Sequence, residues 1–445
     1  MTIIKSSLII ASILALSACS IFNNRSAEKR AEEAADRAGR ITMVLGEPEL
    51  ESDPALATTE IILEAMRDVE SWPQAGLRPS KVVGHVNAAP ALDIDWRSDA
   101  GRGSDNKSTL TAAPIASDTK VYVLDAQQTI RAFNINNGRR VWSEELDSGS
   151  RRDRIGYGGG LALEGDVLIV ASGYGFVAAL DAESGDERWR QDMDAPMTGA
   201  PTIIDGRAFV SSNNNEVFAF DLETGEIIWS DQAIAEPARV LGSPSPAAVE
   251  DIVVAPYSSG EVIAYLAANG RRLWSDALAR PGRFTPISAI NDIAARPVLA
   301  GGLVFVANQS GVTLAIDGRS GSRVWAQPIG STQAPAVAGD VIFVVSVDGR
   351  LAALSASTGG VYWVRQLRRF KDEDDQKGRI SYSGPIVASD RIIVISSRGE
   401  LQAFSPQTGE PVGSLKLGDD TYLEPIAAQG KLFVLTDEAK LIAIR

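Results

Sequence analysis

The chain of 445 residues holds one thiol, Cys19, and one imidazole, His85. A zinc cluster, a Cys-His nucleophile pair, a haem-attachment CxxCH and a disulfide framework all need more than this. A lone histidine reads as a solvated or hydrogen-bonded residue, so no catalysis is assigned to His85. Acidic residues outnumber basic ones, 57 to 43, for a net charge of −14. That balance disfavours electrostatic binding to nucleic acid. At 44% hydrophobic and 22% charged, the chain can bury a large core.

The chemistry expected of Cys19 is acylation. Residues 1–18 carry Lys5 and then the apolar run Leu8 to Leu16, the pattern of a secretory signal too short to span a bilayer. The signal ends in Leu16-Ser17-Ala18-Cys19, which resembles a bacterial lipobox. Cleavage before Cys19, a diacylglycerol on its thiol and an acyl chain such as palmitate on the new N-terminus would anchor the protein without spanning the membrane. Ser20, where an aspartate would favour inner-membrane retention, points to the outer membrane, facing the periplasm.

Residues 19–91 read as a lipidated tether and N-terminal extension. Residues 26–38 favour helix by composition and by the pairs Lys29/Glu33 and Glu33/Arg37, but have no apolar stripe to bury. Pro48, Pro54, Pro73 and Pro79 favour irregular structure up to residue 79, with Ile61, Ile62, Leu63 and Met66 expected to pack on the body.

The body, residues 92–445, repeats. An alanine stands ten residues before a tryptophan, with a glycine four residues before it, at Ala132/Gly138/Trp142, Ala179/Gly185/Trp189, Ala219/Gly225/Trp229, Ala264/Gly270/Trp274, Ala315/Gly321/Trp325 and Ala353/Gly359/Trp363. A seventh copy, Ala403/Gly409/Gly413, has glycine in place of tryptophan. Two short β-rich runs precede each alanine, and before them lies a residue-proline step: Ala113-Pro114, Ala200-Pro201, Ser245-Pro246, Arg296-Pro297, Ala334-Pro335, Gly384-Pro385 and Glu424-Pro425. The tryptophans lie 38 to 51 residues apart, the length of a four-stranded antiparallel propeller blade.

An eighth unit stops two residues after Ala443, before its last strand. Residues 92–98, with Trp96, resemble that strand and are expected to supply it, which would also remove an open sheet edge. The expected fold is therefore all-β, an eight-bladed propeller whose N-terminal strand closes the last blade. Trp96, Trp142, Trp189, Trp229, Trp274, Trp325 and Trp363 are read as packing residues filling the wedge between blades, each with its indole N–H on a backbone carbonyl. The glycines suit the tight turn before the last strand.

This repeat resembles the tryptophan-docking motif of the eight-bladed propellers related to quinoprotein alcohol dehydrogenases. A dehydrogenase of that kind implies a quinone stacked on a disulfide between adjacent cysteines, beside a calcium ion; this chain has no cysteine pair. Together with the lipobox, the eight units and the size, the chain is more similar to the BamB family, lipoproteins of outer-membrane β-barrel assembly. Ser71 to Gly76, Asn291 to Pro297 and Phe370 to Arg379 liken it to the alphaproteobacterial members.

The resemblance implies a scaffold with no enzymatic activity, cofactor or metal, which binds the POTRA domains of BamA through loops between blades and helps unfolded outer-membrane proteins reach the insertase. The corresponding loops are Arg239-Val240-Leu241, before the fourth blade, and Asn291-Asp292, before the fifth. Asp292 falls where the family has an acidic partner-binding residue. Arg239 and Leu241 keep a basic-plus-aliphatic character in altered order. Strand addition to a sheet edge is a second mode a POTRA domain could use. The charge run Lys371 to Lys377 reads as a solvated loop between blades six and seven. The alternatives are a periplasmic quinone- or calcium-dependent oxidoreductase and a propeller for another ligand.

Overall fold

The register of each hairpin explains the repeat. In a computed structural model, which describes residues 50–147, 156–234, 244–278 and 292–445, every repeated alanine sits directly across the ladder from its tryptophan: Ala132 from Trp142, Ala179 from Trp189, Ala219 from Trp229, Ala264 from Trp274, Ala315 from Trp325 and Ala353 from Trp363. A methyl group is what fits beside an indole at a cross-strand position. The ladder slips by one residue at this point in every blade, and the bulge absorbs the tight turn carrying the glycine.

Eight four-stranded antiparallel blades result, the seventh extended by a parallel strand, His85–Val86, from the extension, and no helix occurs among the described residues. The first seven blades span residues 115–145, 159–192, 202–232, 247–277, 298–327, 336–366 and 382–416. The eighth joins three C-terminal strands, within residues 426–444, to Ile94–Asp99. There Ala443 faces Trp96, so the N-terminal strand restores the pairing that the C-terminus leaves incomplete. The architecture is the eight-bladed propeller expected from the repeat.

Neighbouring blades are joined by one contact used seven times. Each indole lies on the turn glycine of the following blade, so a Cβ on Gly138, Gly185, Gly225, Gly270, Gly321, Gly359 or Gly409 would come within 2.5–2.8 Å of the indole-bearing residue of the preceding blade. Six of these indoles donate to the carbonyl three residues before that glycine: Trp142 to Ala182, Trp189 to Leu222, Trp229 to Ala267, Trp274 to Gly318, Trp325 to Ala356 and Trp363 to Pro406, at 2.8–3.2 Å. The Trp96 indole covers Gly138 without making that bond. Gly413 has no indole to offer, and Leu92 fills the gap, its Cδ1 standing 3.2 Å from where a Cβ would be.

The extension enters the ring rather than hanging from it. Ile61 is buried as expected, but Ile62 is 81% exposed and Met66 nearly half exposed. The anchoring side chains are instead Val69, Trp72, Leu77, Val83 and Val86, which join the core of blades seven, eight and one. From Val69 to Ala89 the chain travels around the axis, bonding to the first, innermost strand of one blade after another or to the turn that follows it. Gln429 N–H donates to Val69 O, Leu163 to Pro73 O, Ala248 to Pro79 O, Leu299 to Ser80 O, Ser389 to Val86 O and Ala89 to Gly430 O, all at 2.7–2.9 Å. Trp72 and Ala116 exchange two such bonds, and the Gln74 carboxamide accepts from Ile203 N–H. Inner sheet edges that would otherwise lack partners are thereby paired.

The docking contact can be separated from backbone strain by two glycines with the same φ of +70°. Gly270 faces Trp229, whereas Gly206 has open space around its Cβ position. Gly206→Ala should cost about 1 kcal/mol from strain alone, and Gly270→Ala about 2–4 kcal/mol because the indole must also move. Urea unfolding of both variants measures the difference, and equal losses would deny the indole its role.

Candidate functional site

Meander connectivity divides the ring into two faces. Turns joining strands one to two and three to four lie on one face, and the two-to-three turns and the connections between blades lie on the other. Of the residues expected to bind a partner, Arg239, Val240, Leu241 and Asn291 lie outside the described residues, as does Cys19. Asp292 is described and is only 3% exposed. Its carbonyl accepts from Gln309 N–H at 3.3 Å. Its charge adds to the burial that pushes the nearby Tyr157 hydroxyl up to about 12. Asp292 is therefore part of the root of its loop, not of an exposed tip.

His85 is buried between the extension and blade seven. Its Nδ1 lies 3.0 Å from Glu64 O, and its Nε2 accepts from Asp390 N–H at 3.0 Å. A neutral ring protonated on Nδ1 satisfies both bonds, so the residue fastens one segment to another. The charge run forms a small hairpin, Phe370–Asp372 against Lys377–Arg379, with residues 371–379 exposed and Lys377 paired to Asp375 at 2.9 Å.

The polar feature that sequence reasoning missed lies in the axial channel. Arg296, from the step into blade five, and Glu424, from the step into blade eight, form a two-pronged ion pair with Nη–Oε distances of 2.7 and 2.6 Å. The pair is 15% and 11% exposed and joins blades three positions apart in the ring, so it acts as a crossbar. A cavity of about 300 Å³ opens above it, lined by Thr109, Thr111, Tyr157, Ser245, Thr332 and Gln333 among others. Ala75 of the extension forms part of its floor. Lys81 of the extension, on which the charges of Arg296 and Glu424 both act, is fully buried, with no hydrogen-bond partner for its Nζ.

A signal for the crossbar was present in the sequence. At the residue-proline step five other blades carry Ala, Ala, Ser, Ala and Gly, and only Arg296 and Glu424 are charged, with opposite signs. Among the described residues, no group of three or more His, Cys, Asp or Glu side chains is arranged to hold a metal ion.

Removing one member of the crossbar strands the other charge in a largely buried site. Glu424→Gln should destabilise the fold by about 3 kcal/mol, and adding Arg296→Met should restore much of that loss. A double-mutant cycle by chemical denaturation gives the coupling, and additive losses would show that the pair does not act as a unit.

Comparison with known proteins supplies the family. The family model described as outer membrane protein assembly factor BamB matches residues 93–155 and 126–365. The factor of that name from Moranella endobia is 26% identical over 222 residues, 49% of this chain and 57% of that protein. That from Yersinia pestis is 26% identical over 241 residues, 53% and 61% of the two chains. The alignments thus span less than two thirds of these relatives' own length. The crystal structure of BamB from Moraxella catarrhalis has a TM-score of 0.65 at 16% identity, covering 78% of this chain and 99% of that one. Quinohemoprotein alcohol dehydrogenase from Comamonas testosteroni gives 0.64 at 14% identity, covering 84% and 80%, so the ring by itself does not separate scaffold from enzyme. The family model does separate them, and since it matches more than half of the sequence, the chain belongs to the BamB family.

Proposed function

We propose that the protein is a non-enzymatic scaffold of outer-membrane β-barrel assembly, anchored through lipid on Cys19 to the outer membrane and facing the periplasm. The observation that carries this reading is the match to the BamB family model across residues 93–365. It is supported by the lipobox at Leu16 to Cys19 and by the lack of a second cysteine to form the disulfide on which a quinone would stack.

The partner is the POTRA array of BamA, bound through the connections into blades four and five. Arg239, Val240, Leu241 and Asn291 are assigned the contact, an apolar pair flanked by polar groups as at the centre of many interfaces. Asp292, being buried, supports the second loop from beneath. The two connections belong to adjacent blades, and a rigid ring fixes the angle at which a docked domain is presented. Incoming unfolded outer-membrane proteins then meet an ordered POTRA array.

A form lacking residues 1–19, which keeps the unit Leu50–Arg445 whole, should bind purified BamA POTRA domains saturably in a calorimetric titration. Leu241→Ala combined with Asp292→Ala should weaken that binding at least about tenfold, the size expected when a central interface residue is truncated. Binding retained by the variant would keep the scaffold and move its site. No binding by a folded parent would reject the assembly role for this chain.

A further inference from the structure

Lys81 is difficult to account for as a packing residue. It comes from the extension, is 2% exposed, and its Nζ has no hydrogen-bond partner. The Nε of Arg296 is also buried without an acceptor. The two residues meet at Gly76, where a Cβ would stand 3.0 Å from Arg296 Nε and 3.0 Å from Lys81 Cα. Glu424 cancels the charge of Arg296, since each of its oxygens takes one Nη. The Lys81 amine then has no counterion of its own, and two buried N–H donors lack an acceptor, one of them on Arg296, which lines the cavity. Leaving such donors unsatisfied costs more than leaving them exposed, which favours a site completed by something from outside.

We propose that the base of the channel cavity binds a small oxyanion, a carboxylate or phosphate group, held between Lys81 and Arg296. Thr109, Thr111, Ser245 and Thr332 on the cavity wall offer hydroxyl donors to its remaining oxygens. Ala75 and Gly76 bring the extension's backbone close enough that the site exists only while the extension is in place. Ser245 and Ala294 on its wall follow closely on the two connections assigned to partner docking.

The charged groups acting on Lys81 are Arg296 from blade five and Glu424 from blade eight. Burial first, and then the Arg296 charge, hold its amine well below the usual lysine range, against the opposing pull of Glu424. An incoming anion favours the ammonium form, so binding is coupled to proton uptake over the pH range in which the free amine is not fully protonated. Without the anion, the folded amine binds fewer protons than the unfolded one, and stability rises with pH toward the unfolded value of 10.5. Lys81→Met should therefore stabilise the empty protein at pH 7, by a margin that shrinks as pH rises.

The test is calorimetric titration of the full chain, purified in detergent, with sodium phosphate and separately with sodium succinate, in two buffers of different ionisation enthalpy. Chloride at matched ionic strength removes the general salt effect. Saturable binding of either probe with proton uptake is expected, and the probe that binds identifies the anion chemistry. Binding should weaken about tenfold or more in Lys81→Met, which loses a charge-assisted hydrogen bond while staying folded. Lys81→Arg, which keeps the cation, should retain it. No saturable heat from either probe, or unchanged binding in Lys81→Met, would overturn the proposal.

Discussion

An indole lying on a glycine holds this ring together. Each blade is a twisted meander whose neighbours diverge toward the rim, so a wedge opens between them and must be filled by a large flat group. Tryptophan fills it from one side, and the glycine of the next blade lets it approach the backbone. The indole hydrogen bond to the carbonyl three residues earlier fixes the orientation. One residue type cannot be exchanged without the other: a Cβ on the glycine collides, and a smaller ring leaves a void. Phe209, Phe305, Phe343 and Phe433 pack behind four of the indoles with centroids 5.8–6.2 Å apart, tying each wedge to the sheet that carries it.

A closed ring adds a condition that no single blade meets, because the last wedge must form between segments far apart in sequence. Here the chain uses its N-terminal part twice. Ile94–Asp99 completes the eighth sheet, and Leu92, two residues upstream of that strand, occupies the wedge that Gly413 leaves empty. The segment before it lines the axis, where eight blades leave more room than their own inner strands can fill. Its apolar residues supply packing and its backbone supplies partners for inner edges. Closure and channel filling are thus two consequences of one path of the chain.

The sequence shows most clearly what the structure repeats. The Ala-Gly-Trp spacing disclosed blade number, turn glycine and closing strand, since each is a local pattern copied many times. The extension was harder to read because Trp72, Leu77 and Val83 follow no period: they pack against strands that the fold alone brings around them. Asp292 shows a different limit, because a position in a loop says nothing about whether the side chain is displayed or buried. Lys81 would be taken from sequence for a solvated lysine beside a proline-rich turn, and only the ring above it makes it unusual. Arg296 and Glu424 were visible as exceptions to a repeat, and a charge standing where its equivalents are small deserves a partner search across the ring axis.

The same docking contact determines where variation is tolerated. Turns between strands three and four hold the docked glycine, and in the first six blades each is five residues long. Connections between blades carry no such constraint and range from eight residues, 328–335, to twenty, 278–297. Length can change there without disturbing a wedge, because both ends of the connection are already fixed by strands that are docked. Recognition is therefore free to diverge on one face of the ring while the other face keeps its geometry. A family of scaffolds can then retain the ring at low sequence identity and alter what the loops bind.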